Sequence, residues 1–292
     1  GVGGMLGEAF QEVFGSEYEI ECSDLVNSGT DLLELDFRDR AAYFSAVKRF
    51  SPDYLFHIGA HTNLEFCEMN ADNAYQTNTI AVETAVNIAN SLNIPLLYIS
   101  TAGIFDGEKE LYDDWDQPNP LGVYARSKYL GERYVVENCD RYLVCRAGWM
   151  MGGGPSKDKK FVQKIMNQIK NGATNLNIVN DKDGTPTYTY DFANNVKTLL
   201  NQEVWGLYNL VCGGQTSRVE VCEYLLKLLN REDIKISEVE SAFFNTEYFA
   251  PRPPCERLEN KRLNLMGMNQ MTDWKEALSR YIDSAYRGYL DD

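Results

Sequence analysis

Apolar positions recur along the first half of the chain in two rhythms. Met5 to Phe14, Asp39 to Phe50, Ala71 to Leu92 and Tyr124 to Asn138 carry them at helical spacing. Between these stretches lie short extended runs: Tyr18–Cys22 leading to Asp24, Leu32–Asp36, Tyr54–Gly59, Leu96–Ser100 and Tyr142–Arg146. Tyr54-Leu-Phe-His-Ile and Leu96-Leu-Tyr-Ile are continuously apolar, which suits strands covered on both faces. No hairpin signal joins one strand to the next. Strand, helix, strand without hairpins means parallel crossovers, so the pattern predicts an α/β fold with a doubly wound, Rossmann-like parallel sheet.

The character changes near residue 148. Met151-Gly-Gly-Gly-Pro155 reads as a loop, and Lys157, Lys159 and Lys160 follow it. Helices are expected near 161–171, 189–202 and 217–230, and residues 245–260, with Pro251-Arg-Pro-Pro254, read as irregular. The expected division is a sheet domain over 1–148 with returning elements near 187–205. A smaller C-terminal cap takes most of 149–186 and 206–292. No internal repeat is visible.

A chain of 292 residues allows about one to three domains. With 44% hydrophobic and 24% charged residues it is an ordinary globular sequence rather than a disordered or fibrous one. The net charge of −15 argues against nucleic-acid or anionic-membrane partners, while leaving room for a local basic pocket. No apolar run approaches the roughly 20 residues of a membrane helix. Seven cysteines, odd in number and without a CxxC pair, fit buried thiols in a reducing, cytoplasmic setting. His57 and His61 are four apart, but on a strand that spacing does not converge, so no metal site is expected.

Three constellations carry chemistry. The first is Gly1-x-x-Gly4-x-x-Gly7 ahead of a helix. Such a turn brings backbone N–H groups against a pyrophosphate, though a glycine-rich turn alone is often only a turn. An apolar strand is expected ahead of Gly1 to aim it. Asp24, about twenty residues on at a strand end, stands where an acid holds a ribose hydroxyl; it also reads as a turn residue. The second is Tyr124-Ala-Arg-Ser-Lys128, which puts a phenol and an ammonium on one helix face. A nearby positive charge is expected to lower the tyrosine pKa and suit it to acid–base work; a chance surface pair reads the same way. The third is Ser100-Thr101-Ala102-Gly103 at a strand C-terminus, where open α/β sheets bind ligands and where a hydroxyl also caps turns.

In this order and spacing the three resemble the short-chain dehydrogenase/reductase superfamily. Within its extended branch the chain closely resembles the dTDP-4-dehydrorhamnose reductase family, nearly end to end. The marks are Gly-Ala-His-Thr (59–62), Asn78, Ser-Thr-x-x-x-Phe-Asp-Gly (100–107), Tyr-x-x-x-Lys with Gly131-Glu132, and Arg146-Ala-Gly-Trp149. Asp181-x-x-Gly-x-Pro-Thr187, Gly206-Leu-Tyr-Asn-Leu-Val and Arg252-Pro complete them.

The resemblance implies NAD(H) or NADP(H) as cofactor and a nucleotide-sugar substrate. Thr101, Tyr124 and Lys128 are then the catalytic residues. Gly1, Gly4, Met5, Leu6, Gly7, Asp24, Asp36, Phe37, Gly59, Ala60, His61, Asn78 and Ser100 join Tyr124 and Lys128 around the cofactor. Leu64, Thr101, Trp149 and Arg252 face the substrate. A homodimer is a compatible assembly. The sequence departs from the family where Ser-Thr-Asp-Tyr becomes Ser100-Thr101-Ala102-Gly103. Loss of that tyrosine is expected to leave a roomier sugar site. Loss of a carboxylate after the threonine argues against elimination chemistry. A nucleotide-sugar epimerase and a non-catalytic regulatory subunit are the competing readings.

Overall fold

The computed structural model describes residues 1–26 and 32–290. Its first half runs α1 (Gly7–Gly15), β1 (Ser23–Asp24), β2 (Leu33–Glu34), α2 (Arg40–Phe50), β3 (Leu55–His57), α3 (Leu64–Met69) and α4 (Ala71–Tyr75). A π turn, Gln76–Ile80, leads on to α5 (Ala81–Leu92), then β4 (Leu96–Thr101), α6 (Val123–Asn138) and β5 (Tyr142–Ala147). Local chemistry sets several boundaries. Asp39 caps α2 by accepting from Ala41 N and Ala42 N, both at 3.0 Å. Ser51 ends the same helix in the left-handed region just ahead of Pro52.

The second half continues with β6 (Trp149–Met151), α7 (Gly154–Lys157), α8 (Phe161–Lys170), β7 (Asn175–Val179), β8 (Asp183–Gly184), β9 (Pro186–Tyr188) and α9 (Thr189–Asn201). It closes with β10 (Gly206–Asn209), β11 (Thr216–Ser217), α10 (Arg218–Leu228), β12 (Lys235–Val239), β13 (Cys255–Glu256), α11 (Lys261–Met266) and α12 (Trp274–Ala285). Helix α10 opens on a capping box between Ser217 and Glu220.

The main sheet has the order β10-β5-β4-β3, all parallel, and β1 pairs with β2 in a separate parallel ladder. Leu97, Leu143 and Cys145 point into one core, with residues of α1, α8, α9, α10 and α12. Leu96, Tyr98 and Val144 point into the other, with residues of α2, α5 and α6. The sheet is therefore covered on both faces, as its continuous apolar strands require. Strand β10 lies in this sheet beside β5, although it belongs to the stretch assigned mainly to the cap. The remaining strands form small ladders: β7 with β12, β6 with β9, and β11-β8-β13.

The extended run expected over Tyr18–Cys22 is not a strand; the ladder begins at Ser23. Glu19, Ile20 and Glu21 are exposed, so that run has no face to bury. Helices α3, α11 and α12 lie outside the expected helices, and so does the short α7, which begins inside the stretch expected to be a loop.

Candidate active site

The C-terminal edge of the parallel sheet gathers the predicted chemistry. Thr101 is the last residue of β4, and its hydroxyl accepts from Gly103 N at 3.1 Å, capping the single 3₁₀ turn that follows. Gly59 follows β3, and a Cβ built on Gly1 would fall 2.4 Å from Gly59 Cα, so the glycine turn and the end of β3 touch backbone to backbone. Gly4 N donates to Gly1 O and Gly7 N to Gly4 O, both at 3.3 Å. A Cβ on Gly7 would fall 1.8 Å from Val2 O; only glycine closes this turn. Met5 and Leu6 complete it at the N-terminus of α1, where first-turn N–H groups lack intrahelical acceptors.

Asp24 accepts from Gly3 N at 2.7 Å, which ties the end of β1 to the glycine turn. Asp36 is gripped by Arg38 through bonds of 2.6 to 3.0 Å, and that guanidinium holds its carboxyl below the usual range. The Phe37 ring lies against Gly59. Past Ala60, the backbone of His61 is held twice by Asn78: His61 N donates to Asn78 Oδ1 at 2.8 Å and Asn78 Nδ2 donates to His61 O at 3.0 Å. Asn78 Nδ2 also reaches Ser127 Oγ at 3.1 Å. It sits in the π turn, a distortion that often marks functional positions. Ser100 Oγ is buried with no partner among the described residues. These groups fit a dinucleotide: Met5 and Leu6 N–H groups without an acceptor among the described residues at the start of α1, an acid at a strand end, and an orphaned hydroxyl on the same edge.

Tyr124 lies in the first turn of α6. Glu68 fixes that helix end by accepting from Val123 N at 2.9 Å, an acid where the helix N-terminus favours one. Burial pushes the Tyr124 phenol up to about 12, with the Thr101 hydroxyl pulling it partly back. Lys128, one turn on, is buried and donates from Nζ to Ile99 O at 2.7 Å, while its ammonium lies 4.2 Å from the centre of the Tyr98 ring. Burial lowers it to about 7. The expected lowering of the tyrosine by the lysine is thus not what this structure holds. Desolvation dominates both groups, and Lys128 is directed at Ile99 and Tyr98.

On the cap side, Trp149 donates from Nε1 to Glu256 Oε2 at 2.8 Å. Its ring lies flat on Gly184 and beneath the Arg218 guanidinium, 3.5 Å from the ring centre. Arg252 pairs with Glu65 at 2.7 Å, next to Leu64 at the start of α3. The space over Gly103 is not simply roomier: a Cβ there would lie 3.2 Å from Glu256 Oε1. Glu256, Arg218 and Glu68 escaped the sequence reading because each reaches the site from a remote segment. His57 is buried in the core against Phe37 and Tyr43, its Nδ1 3.0 Å from the Tyr43 hydroxyl, and burial lowers it to about 3. Among the described residues no group of three His, Cys, Asp or Glu side chains forms a metal cluster, and no helix is long and apolar enough to cross a membrane.

Residues 1–287 match the family described as "RmlD substrate binding domain". A dTDP-4-dehydrorhamnose reductase of Mycobacterium tuberculosis is 28% identical over 262 residues, covering 86% of this chain and 84% of that one. The solved dTDP-4-dehydrorhamnose reductase of Yersinia enterocolitica is 31% identical with a TM-score of 0.84, covering 97% of this chain and 96% of its own. That of Bacillus anthracis, solved with NADP, is 28% identical with a TM-score of 0.88 over the same shares.

Proposed function

The chain belongs to the RmlD substrate binding domain family, and from that we propose that it reduces the 4-keto group of a nucleotide-activated 6-deoxy sugar with NAD(P)H. The observation that carries the reading is the meeting of a strand-end Thr101 with Tyr124 and Lys128 of α6, on the sheet edge that also holds the glycine turn.

The dinucleotide, when bound, supplies the hydride. The glycine turn and the N-terminus of α1 would receive its pyrophosphate, and Asp24 would accept from the adenosine ribose. Asn78 holds the backbone of His61 in place beside that site. Tyr124 carries its proton at neutral pH, as an ordinary phenol does, and gives it to the oxygen that gains charge; its burial holds that proton more firmly. Thr101 orients the same oxygen. Lys128, one turn on and held by Ile99 O, would meet the nicotinamide ribose. Trp149 offers an apolar wall to the sugar. Arg218, stacked on Trp149, is the cation that would meet a phosphorylated portion, since Arg252 is paired with Glu65.

The test is turnover of dTDP-, UDP-, GDP- and CDP-4-keto-6-deoxy sugars, followed by NADH and NADPH absorbance. Stoichiometric loss of reduced cofactor with one sugar supports the reading. Isomerisation with tightly held nicotinamide and no net oxidation would move the chain to the epimerase reading. NADH should be the better donor, because Asp24 repels a 2′-phosphate. A higher kcat/KM with NADPH would contradict that.

A further inference from the structure

Glu256 is a carboxylate of the sugar site that the proposed reaction does not use, and unlike Glu65 and Glu68 it keeps an oxygen without a bonded partner among the described residues. It comes from β13, which lies parallel to β8, so it enters from the C-terminal segment. Its Oε2 is fixed by Trp149 Nε1 at 2.8 Å, and Trp149 is itself clamped between Gly184 and Arg218. Its Oε1 is directed elsewhere. A single point, the place of a Cβ on Gly103, lies 3.2 Å from Glu256 Oε1 and 3.5 Å from Thr101 Oγ1. The free carboxylate oxygen and the Thr101 hydroxyl therefore lie within about 7 Å of each other, on either side of Gly103. Of the nearby cations, Arg257 pairs with Asp183 at 2.9 Å and Arg252 with Glu65 at 2.7 Å, while Arg218, stacked on Trp149, lies close enough for Glu256 to favour its charge. Among the described residues Glu256 makes no ion pair. A carboxylate held by one oxygen and facing the reacting residues with the other is built to accept a donor.

We propose that Glu256 is the specificity-determining residue of the sugar site: its carboxylate accepts a hydrogen bond from a hydroxyl or ammonium on a ring carbon next to the one reduced. This rests on the reductase reading. It also gives a physical sense to Ala102-Gly103, since a large side chain at 103 would occupy the space into which Glu256 Oε1 projects. The substrate class is a 4-keto sugar nucleotide that keeps a donor at that neighbouring carbon.

The experiment is a cycle of two variants and two sugars. Wild type, Glu256→Ala and Glu256→Gln are compared on the best 4-keto sugar nucleotide and on its analogue deoxygenated at the neighbouring carbon. Hydrogen bonds to charged groups imply that Glu256→Ala lowers kcat/KM by roughly 10- to 100-fold on the first sugar. On the deoxy analogue it should change kcat/KM by less than about 3-fold, since the partner group is already gone. Glu256→Gln keeps an acceptor for Trp149, so it separates the charge from the packing. Equal losses on both sugars would show a merely structural glutamate and overturn the proposal. If wild type reduces no 4-keto sugar nucleotide, the reductase reading falls, and calorimetry with dTDP and dTDP-glucose still decides on Glu256. The hexose should add affinity in wild type and not in Glu256→Ala; an addition that is absent from wild type, or unchanged by the substitution, overturns the proposal.

Discussion

At the scale of single residues, burial acts on both Tyr124 and Lys128. An ordinary phenol is already protonated at pH 7, and burial, which pushes Tyr124 up to about 12, holds that proton more firmly until the reaction calls for it. Tyr124→Phe keeps the ring and loses that proton, so kcat should fall by about 10²–10⁴-fold, the usual worth of general acid catalysis. Cofactor affinity should change little; near-native turnover in steady-state assays would refute the role. Lys128 gives a stability prediction. Its folded value of about 7 lies below the ordinary 10.5, so the unfolded chain binds the proton more tightly. The cost of burying the ammonium is therefore present in full below pH 7 and is relieved as pH rises from about 7 to 10.5. Without added nucleotide, Lys128→Met should raise Tm at pH 6, and the gain should shrink toward pH 10. A pH-independent difference in thermal melts would contradict the assignment.

At the scale of elements, α6 presents the tyrosine and the lysine because its neighbours hold its height and rotation. Thr79 Oγ1 donates to Ser127 O at 2.8 Å, and the Tyr98 hydroxyl donates to Lys128 O at 3.0 Å. Gly131 permits this approach: a Cβ there would lie 2.5 Å from Asn78 O and 2.8 Å from the Tyr98 hydroxyl. Gly131→Ala should therefore push α6 away from the π turn and β4. Overpacking of this kind costs about 1–3 kcal/mol, visible in denaturant melts, and kcat should drop although no catalytic group is altered. Unchanged stability and rate would mean that the helix has slack. The sequence marked Gly131 only as a family feature; its reason lies in a π turn about fifty residues earlier in the chain. Helix α12 carried a readable signal, with Asp273 capping it by accepting from Lys275 N at 2.9 Å ahead of Trp274, Leu278, Tyr281 and Ile282. The ladder of β1, by contrast, was misplaced because an extended run becomes a strand only where a partner and a buried face exist.

At the scale of the whole molecule, two family marks turn out to be one device. Glu132 of α6 and Arg146 of β5 form a bidentate pair with bonds of 3.0 and 2.6 Å, both side chains almost wholly buried. The pair ties α6 to the central sheet, and the Arg146 guanidinium also packs over the Phe105 ring at 5.3 Å. Arg146→Met would leave Glu132 buried without its bonded partner, Lys128 acting on it only at a distance, at a cost of about 3–5 kcal/mol. Adding Glu132→Leu should recover much of that stability, since the orphaned charge is then gone. Chemical denaturation of the single and double variants checks this; additive losses would show that the two charges do not depend on each other.

By itself the sequence determined the α/β class, the parallel sheet, the glycine turn and the catalytic candidates. These are carried by local period, by turn chemistry and by short spacings, all of which act within one or two turns of chain. Only the tertiary structure decided what depends on remote approach and on desolvation. Glu256 comes to Gly103, Arg218 covers Trp149 and Glu68 holds the start of α6 across long intervals of sequence. The directions in which Tyr124 and Lys128 shift follow from how much water the fold removes from them, and no spacing in the chain encodes that quantity.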